Sequence, residues 1–234
     1  MVNNKNRCDD IQENLRVIRE NIAEACSGCG RDPDSVEIMA VTKTVPPEIV
    51  NSAIKMGIGL MGENRVQEFL SKQESYVNKT ADGKPVEIHF IGRLQTNKVK
   101  YIIDPMCMIQ SVDSIRLAKE ISRLALAKGK VMDILCEVNI GGEESKGGIA
   151  PDGLAELLEQ VTAFDGVRLR GLMTIPPPSE SDIYLGRMGE LYDRFSEKYG
   201  MDVLSMGMTG DYVRAVKYGS TIVRIGTGLF GTRN

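Results

Sequence analysis

One lysine stands where a reactive amine would be expected in a barrel enzyme. Lys43 follows an apolar run, residues 36–42, and precedes Pro46 and Pro47, so it lies where a buried strand gives way to a loop. Partial withdrawal from water disfavours the ammonium form of a lysine and makes its amine a better nucleophile toward an aldehyde. A lysine that ends a strand is more often a solvated cap. The interpretation of Lys43 as a Schiff-base lysine therefore depends on the rest of the chain.

Two glycine-containing segments near the end of the chain could bind a phosphate. The first runs from Ser205 to Asp211 and the second from Arg224 to Gly228. Barrels commonly bind phosphate in the loops after strands seven and eight, where glycines let the backbone approach the anion and hydroxyls such as those of Ser205 and Thr227 can donate. Such loops are also ordinary turns. Together with the lysine, however, they predict a site for a phosphorylated aldehyde, and pyridoxal 5'-phosphate (PLP) is such a molecule.

Arg224 lies in an otherwise apolar strand, where burial of its charge costs free energy unless the guanidinium has a hydrogen-bond or charge partner. If it faces the barrel mouth, it can donate to the pyridine nitrogen of PLP. Because arginine keeps its proton, that nitrogen would stay unprotonated and the ring would be a weak electron sink. This favours a carrier or a racemase-like proton transfer over transamination or decarboxylation. An ion pair with a carboxylate at the barrel rim explains the arginine equally well.

The elements that must position these residues alternate from end to end. Eight apolar, β-branched runs lie near residues 36–42, 58–62, 87–91, 106–110, 132–139, 168–174, 202–206 and 221–226. Helical patterns lie between them, near 47–56, 64–78, 95–102, 113–128, 151–163, 181–199 and 210–218. This alternation predicts an α/β fold, a (β/α)8 TIM barrel. A doubly wound open sheet is the alternative, but it would more usually have a glycine-rich first turn.

A further helical pattern precedes the first strand. Apolar residues recur there at three- and four-residue spacing, at Ile11, Leu15, Ile18, Ile22 and Ala25. We therefore expect an extra N-terminal helix, which could cover the base of the barrel.

Composition favours one domain and argues against some classes of partner. The chain has 234 residues, a hydrophobic fraction of 42% and a net charge of -3, with a pI near 5.4. Because α/β barrels commonly run about 200 to 250 residues as one unit, residues 1–234 are expected to form a single PLP-binding domain. The nearly balanced charge argues against nucleic acid as a partner. No stretch approaches the ~20 apolar residues of a membrane span.

The cysteines and the N-terminus predict a cytoplasmic protein. The opening residues 1–5 lack the apolar core of a signal peptide, and five cysteines, an odd number, are more typical of reduced thiols than of a disulfide framework. Cys26 and Cys29 form one CxxC without a second pair, so we interpret both as structural thiols and expect no metal site.

Seven segments resemble, in order, the motifs of the pyridoxal phosphate homeostasis protein family, whose members are similar to the N-terminal barrel of alanine racemase. The segments are AVTK at 40–43, GENRVQE at 62–68, HFIGRLQTNK at 89–98, SKGGI at 145–149, RGLMTIP at 170–176, SMGM at 205–208 and VRIGT at 223–227. The resemblance covers nearly the whole chain.

The resemblance implies which residues bind the cofactor. The family's PLP-binding positions correspond to Lys43, Asn64, Ser205, Arg224, Gly226 and Thr227. Lys43 matches the lysine that holds PLP as an internal aldimine, and Arg224 matches the partner of the pyridine nitrogen. The phosphate is expected around Ser205, Gly226 and Thr227. The family is regarded as managing cellular vitamin B6 rather than as a proven catalyst.

Three functions stay open at this stage. The first is a carrier that holds PLP on Lys43, takes part in PLP homeostasis and possesses an exchangeable site, with PLP-accepting apo-enzymes as candidate partners. The second is an amino-acid racemase, but alanine racemase takes its opposing base, a tyrosine, from a separate domain of its partner subunit. This chain is expected to lack that domain, so we expect no efficient racemisation and a monomer. The third is a Schiff-base aldolase that uses the same lysine without a cofactor.

Two other residues could contribute to the site. His89, the sole histidine, is predicted in the third strand and is interpreted as a core residue, although it could approach the ring. Lys146 lies in the glycine-rich segment 141–148 and is interpreted as a solvated loop lysine that could capture an aldehyde during release.

Overall fold

Eight parallel strands close into a barrel in the computed structural model, which describes residues 4–231. The strands follow one another around the barrel in chain order, and the last pairs with the first. Their bounds are β1 Glu37–Val41, β2 Leu60–Glu63, β3 Glu87–Phe90, β4 Met108–Val112, β5 Met132–Val138, β6 Val167–Thr174, β7 Val203–Met208 and β8 Ile222–Ile225. The (β/α)8 barrel predicted from the eight apolar runs is therefore confirmed.

Helices form the outer layer. They are α1 Asn4–Cys29, α2 Pro47–Lys55, α3 Val66–Lys72, α4 Ile115–Ala127, α5 Leu154–Val161, α6 Ser181–Tyr199, α7 Tyr212–Lys217 and α8 Thr227–Phe230. Helix α2 begins at Pro47, whose fixed φ suits a first helical turn, and is followed by Gly57 at a φ of +94°. The pattern near residues 95–102 forms a short 3₁₀ helix, Thr96–Tyr101, rather than an α-helix. Val99 is the buried residue of that short helix, and Ile102, which follows it, is buried as well.

The extra N-terminal helix is present and uses the predicted stripe. The five apolar residues of α1, Ile11 to Ala25, are all buried. They pack on the side wall of the barrel, against α2, α7 and α8. Hydrogen bonds from Asn14 to the carbonyl of Leu229 (3.1 Å) and from Asn21 to the hydroxyl of Tyr212 (2.8 Å) fix that position. The helix therefore joins the first and last units of the barrel along its wall instead of covering the base.

Side chains alternate between the two faces of the strands, which gives the barrel two kinds of core. The interior is filled by Met39, Val41, Leu60, Ile91, Met108, Leu135, Met173, Val203 and Ile222. The outward-facing residues pack against the helices in two larger clusters. None of the helices among residues 4–231 combines the length and the apolarity that a membrane span requires.

Candidate functional site

Lys43 lies half-buried at the mouth of the barrel, two residues beyond the end of β1. The backbone on both sides of it is held by α3. The carboxylate of Glu68 accepts a hydrogen bond from the Thr44 amide, and the ammonium of Lys72 donates to the Thr42 carbonyl at 3.4 Å. Glu68 and Lys72 also form an ion pair with each other. Thr44 has a φ of +61°, a costly conformation for a β-branched residue, so these contacts hold a strained turn in place beside the lysine.

A buried carboxyl group anchors the same turn from below. Glu63 is 0% exposed, and its Oε1 accepts hydrogen bonds from the Thr42 hydroxyl (2.7 Å) and the Tyr76 hydroxyl (2.8 Å). Burial raises the pKa of Glu63 above the usual range of a glutamate. The residue before Lys43 is thus tied to β2 by its side chain. Sequence reasoning missed Glu63, although an acidic residue at the end of an apolar strand was a signal that could have drawn attention to it.

Arg224 lies inside the barrel near the mouth and is 3% exposed. Its Nη1 donates to the Ser205 hydroxyl at 2.8 Å, and its Nη2 donates to the Thr174 carbonyl at 2.7 Å. Burial lowers the pKa of the guanidinium to about 10, so it remains protonated at neutral pH. These hydrogen-bond partners are neutral oxygen atoms of the barrel interior. The inward orientation is the one that contact with a pyridine ring requires.

Ser205 lies below the surface of the mouth. It is 0% exposed, and its hydroxyl accepts from Arg224 and donates to Oε1 of Gln110 at 2.7 Å. In this conformation the hydroxyl forms its hydrogen bonds with Arg224 and Gln110 inside the barrel rather than with a ligand in the mouth.

The loops after β7 and β8 meet, as the prediction of a phosphate site requires. The Thr227 hydroxyl lies 3.4 Å from the Thr209 hydroxyl, which also accepts from the Gly228 amide at 3.1 Å. A side chain at Gly228 would lie 2.8 Å from the Thr209 methyl group, so the close approach of the loops needs a glycine there. Both threonines are exposed, and Gly226 precedes Thr227 directly. Thr209 was not singled out from the sequence, although it stands in the same glycine-containing segment as Ser205.

Asn64 follows β2, the strand that pairs with β1. Its Oδ1 atom is buried without a hydrogen-bond partner, and such an acceptor usually has a ligand or water to satisfy it. Asn64, Arg65 and Arg93 contribute to the lining of a groove of about 940 Å³. Gly92 permits the approach of the two loops, because a Cβ there would lie 2.1 Å from the Asn64 carbonyl oxygen.

Lys146 lies in a loop that crosses toward β6. Its ammonium group pairs with Glu143 at 2.5 Å and donates to the Pro176 carbonyl at 3.4 Å. The lysine is half-buried in these contacts rather than freely solvated. Cys26 and Cys29 both carry free thiols.

Glu137 is a second buried carboxyl group that sequence reasoning missed. It is 8% exposed at the inner face of β5. Burial, reinforced by the negative charge of Asp113 and opposed by Arg224 and Arg93, raises its pKa to about 7. The mouth therefore contains a carboxyl group that exchanges its proton near neutral pH.

Glu137 makes the stability of the protein depend on pH. Its pKa is higher in the folded state, about 7, than its ordinary value of 4.5. Folding is therefore favoured by this group below pH 4.5, and the benefit is lost as the pH rises toward 7. We expect Glu137→Gln to be more stable than the wild type by about 3 kcal/mol at pH 8 and by little at pH 4.5. Urea unfolding across that range measures the difference.

The control for this measurement is Glu156→Gln, at an exposed position of α5. It removes the same charge from a solvated site, so its stability difference from the wild type should stay small at every pH. A pH-independent difference for Glu137→Gln would contradict the account of this carboxyl group.

The fold and the mouth define a class of protein, the (β/α)8 barrels of the alanine racemase type. The family model described as alanine racemase, N-terminal domain, matches residues 9–234 of this chain.

Particular relatives narrow the class to one family. A protein of Aquifex aeolicus (strain VF5) named pyridoxal phosphate homeostasis protein is 44% identical over 227 residues, covering 94% of this chain and 97% of the relative. A crystal structure of an unknown protein from Bifidobacterium adolescentis has a TM-score of 0.90 and 34% identity over 98% of both chains. PipY of Synechococcus elongatus PCC7942, solved with PLP bound, has a TM-score of 0.81 and 30% identity over 94% of this chain and 100% of PipY. The chain belongs to the pyridoxal phosphate homeostasis protein family, as the seven motifs predicted.

Proposed function

We propose that this chain binds PLP at the mouth of its barrel, holds it reversibly as a Schiff base on Lys43 and carries it for PLP homeostasis. The observation on which the proposal depends is Arg224, a charged donor buried inside the barrel next to the mouth. Burial of a guanidinium costs free energy, and a hydrogen bond to an acceptor atom of a bound ligand would offset part of that cost. The PLP bound to PipY, a relative with 30% identity over the whole length of PipY, supports the same ligand here.

The residues around the mouth fit PLP at three points. Lys43 would hold the aldehyde carbon, and Arg224 would donate to the ring nitrogen. The hydroxyls of Thr209 and Thr227, with the backbone at Gly226, would receive the phosphate. The buried Oδ1 of Asn64, with no hydrogen-bond partner, offers an acceptor beside the ring. Ser205, predicted as a phosphate ligand, would instead act on PLP through Arg224.

The chemistry of Arg224 favours a carrier over an enzyme. When bound, PLP supplies an aldehyde and a ring that withdraws electrons most strongly if its nitrogen is protonated. Arg224 has a pKa of about 10, so it keeps its own proton and leaves the ring nitrogen unprotonated. Strong stabilisation of a carbanion is then not expected. The proposal also includes PLP-accepting apo-enzymes as partners, a cytoplasmic location, a single domain and a monomeric state.

A transfer experiment tests the carrier function. We expect the PLP-loaded protein to restore activity to an apo-aminotransferase and to lose its visible absorbance as it does so. The matched control is the same protein after borohydride reduction, which fixes PLP to the lysine and should restore no activity. A chiral assay with several amino acids completes the experiment. Racemisation at ordinary enzyme rates, about 1 s⁻¹ or more, would show that the protein is an enzyme instead.

A further inference from the structure

Four buried polar side chains form a continuous hydrogen-bonded series through the interior of the barrel. Arg224 on β8 contacts Ser205 on β7 at 2.8 Å, Ser205 contacts Gln110 on β4 at 2.7 Å, and Gln110 contacts Nδ1 of His89 on β3 at 2.9 Å. None of the four is more than 3% exposed. In the proposed function Arg224 acts on the pyridine ring, but Gln110 and His89 have no role.

The direction of each hydrogen bond in this series follows from the guanidinium of Arg224, at one end of it. A guanidinium can only donate, so the Ser205 oxygen accepts from Arg224 and the Ser205 hydrogen is directed to the carbonyl oxygen of Gln110. With the Gln110 amide in the opposite orientation, that hydrogen would lose the carbonyl acceptor that it has here.

The amide orientation in turn fixes the histidine. The amide nitrogen of Gln110 can only donate, so Nδ1 of His89 must accept and must carry no proton. The one ring proton of an uncharged His89 would therefore lie on Nε2, a buried atom that is 3.4 Å from the carboxylate of Glu87 but makes no hydrogen bond. Glu87 lies at the base of the barrel, at the opposite end of β3 from the mouth. The hydrogen-bonded series itself runs from His89 on β3 to the arginine at the mouth.

We propose that His89 and Gln110 are positioning residues for Arg224. They hold the Ser205 hydroxyl in the one orientation in which its oxygen accepts from Nη1, and together with the Thr174 carbonyl they fix the plane of the guanidinium. Arg224 then presents its remaining N–H groups to the ring of PLP without rearrangement. This inference rests on the proposed function for its consequence, but the orientation of the series exists without PLP and can be measured separately.

The orientation is measurable because His89 is the sole histidine of the chain. In a two-bond ¹H–¹⁵N NMR spectrum of the ligand-free, untagged protein, the one imidazole should show the Nε2–H tautomer. Exchange of the Arg224 guanidinium hydrogens with solvent should be slow in the wild type and at least tenfold faster in His89→Leu. A proton on Nδ1, or unchanged exchange in His89→Leu, would overturn the proposal whether or not the protein binds PLP.

PLP titration of variants at His89 and Gln110 tests whether these two residues affect PLP binding. We expect His89→Leu and Gln110→Leu to weaken PLP binding about tenfold and to shift the wavelength of the visible band. His89→Gln, whose amide oxygen can accept from Gln110, should restore most of both. The matched control is Ser111→Ala, a neighbouring buried position on β4 whose hydroxyl has no hydrogen-bond partner, and it should leave both unchanged. Wild-type affinity and spectrum in His89→Leu and Gln110→Leu would overturn the inference, whereas failure of the wild type to bind PLP would contradict the proposed function instead.

Discussion

Substitution of Lys43 by alanine is expected to abolish the visible absorbance that PLP gives with the wild-type protein and to weaken PLP binding by about 100-fold, or roughly 3 kcal/mol. The visible band requires a Schiff base, and Lys43 is the amine that the strand β1 delivers to the mouth. The side chain is half-buried at the mouth, and a lysine amine can attack an aldehyde to form that bond. The phosphate loops and Arg224 stay intact in the variant, so weak, non-covalent binding should remain.

The matched control for this variant is Lys146→Ala. Lys146 is the other half-buried lysine singled out from the sequence, and its contacts with Glu143 and Pro176 place it on a different loop. It should keep the visible band and the affinity of the wild type. An unchanged band in Lys43→Ala would show that another amine holds PLP, and loss of the band in Lys146→Ala alone would identify that amine.

Removal of the buried arginine should lower the stability of the protein. Arg224→Met is expected to lower the free energy of unfolding by about 2 kcal/mol, because the loss of charged donors to the Ser205 hydroxyl and the Thr174 carbonyl outweighs the relief of burying a charge. The charge that opposes the high pKa of Glu137 also disappears. Urea unfolding at pH 7 measures the loss.

Two further variants separate the causes of that loss. Arg214→Met changes an exposed arginine of α7 and should cost less than about 0.5 kcal/mol. Arg224→Lys keeps the charge, but one ammonium group cannot reproduce the planar fork that reaches both Ser205 and Thr174, so an intermediate loss is expected. Equal stability of Arg224→Met and the wild type would show that the two hydrogen bonds do not outweigh the cost of burying the charge.

The barrel itself was predictable because each strand carries its own signal. The run at 36–42 is apolar or β-branched at every position except Glu37, as expected for a strand that is largely covered on both faces, and all eight runs became strands. The position of Lys43 follows from the same reasoning, since a residue after a barrel strand lies at the mouth. Helix boundaries were less predictable. The segment at 95–102 has the buried residues Val99 and Ile102 at a spacing that suits an α-helix, yet residues 96–101 form a 3₁₀ helix.

The interior of the site was not predictable in the same way. Gln110 and Ser205 are 95 positions apart, and their contact exists only because strands four and seven face each other across the closed barrel. In addition, the pairing of β7 with β8 shifts register between Ser205 and Met208. A shift of register changes which side chains reach the mouth, so the sequence could not distinguish the role of Ser205 from that of Thr209.

The electrostatic properties of the mouth depend equally on distant residues. The pKa of Glu137 in β5 is raised by burial and by Asp113, and Arg224 and Arg93 oppose that rise; other strands and loops contribute all three of these residues. The hydrogen bonds of Glu63 likewise come from residues that are distant in the sequence, Thr42 and Tyr76. Such groups can be recognised only when the barrel has placed their neighbours.

The position of the covalent bond tests the central claim most directly. The protein is loaded with PLP, reduced with borohydride, digested and analysed by mass spectrometry, with an unreduced sample as the control. We predict that the pyridoxyl group is found on the peptide that contains Lys43 and on no other peptide in comparable amount. A reduced protein that carries the group on Lys146 or on another lysine, with Lys43 unmodified, would contradict the account.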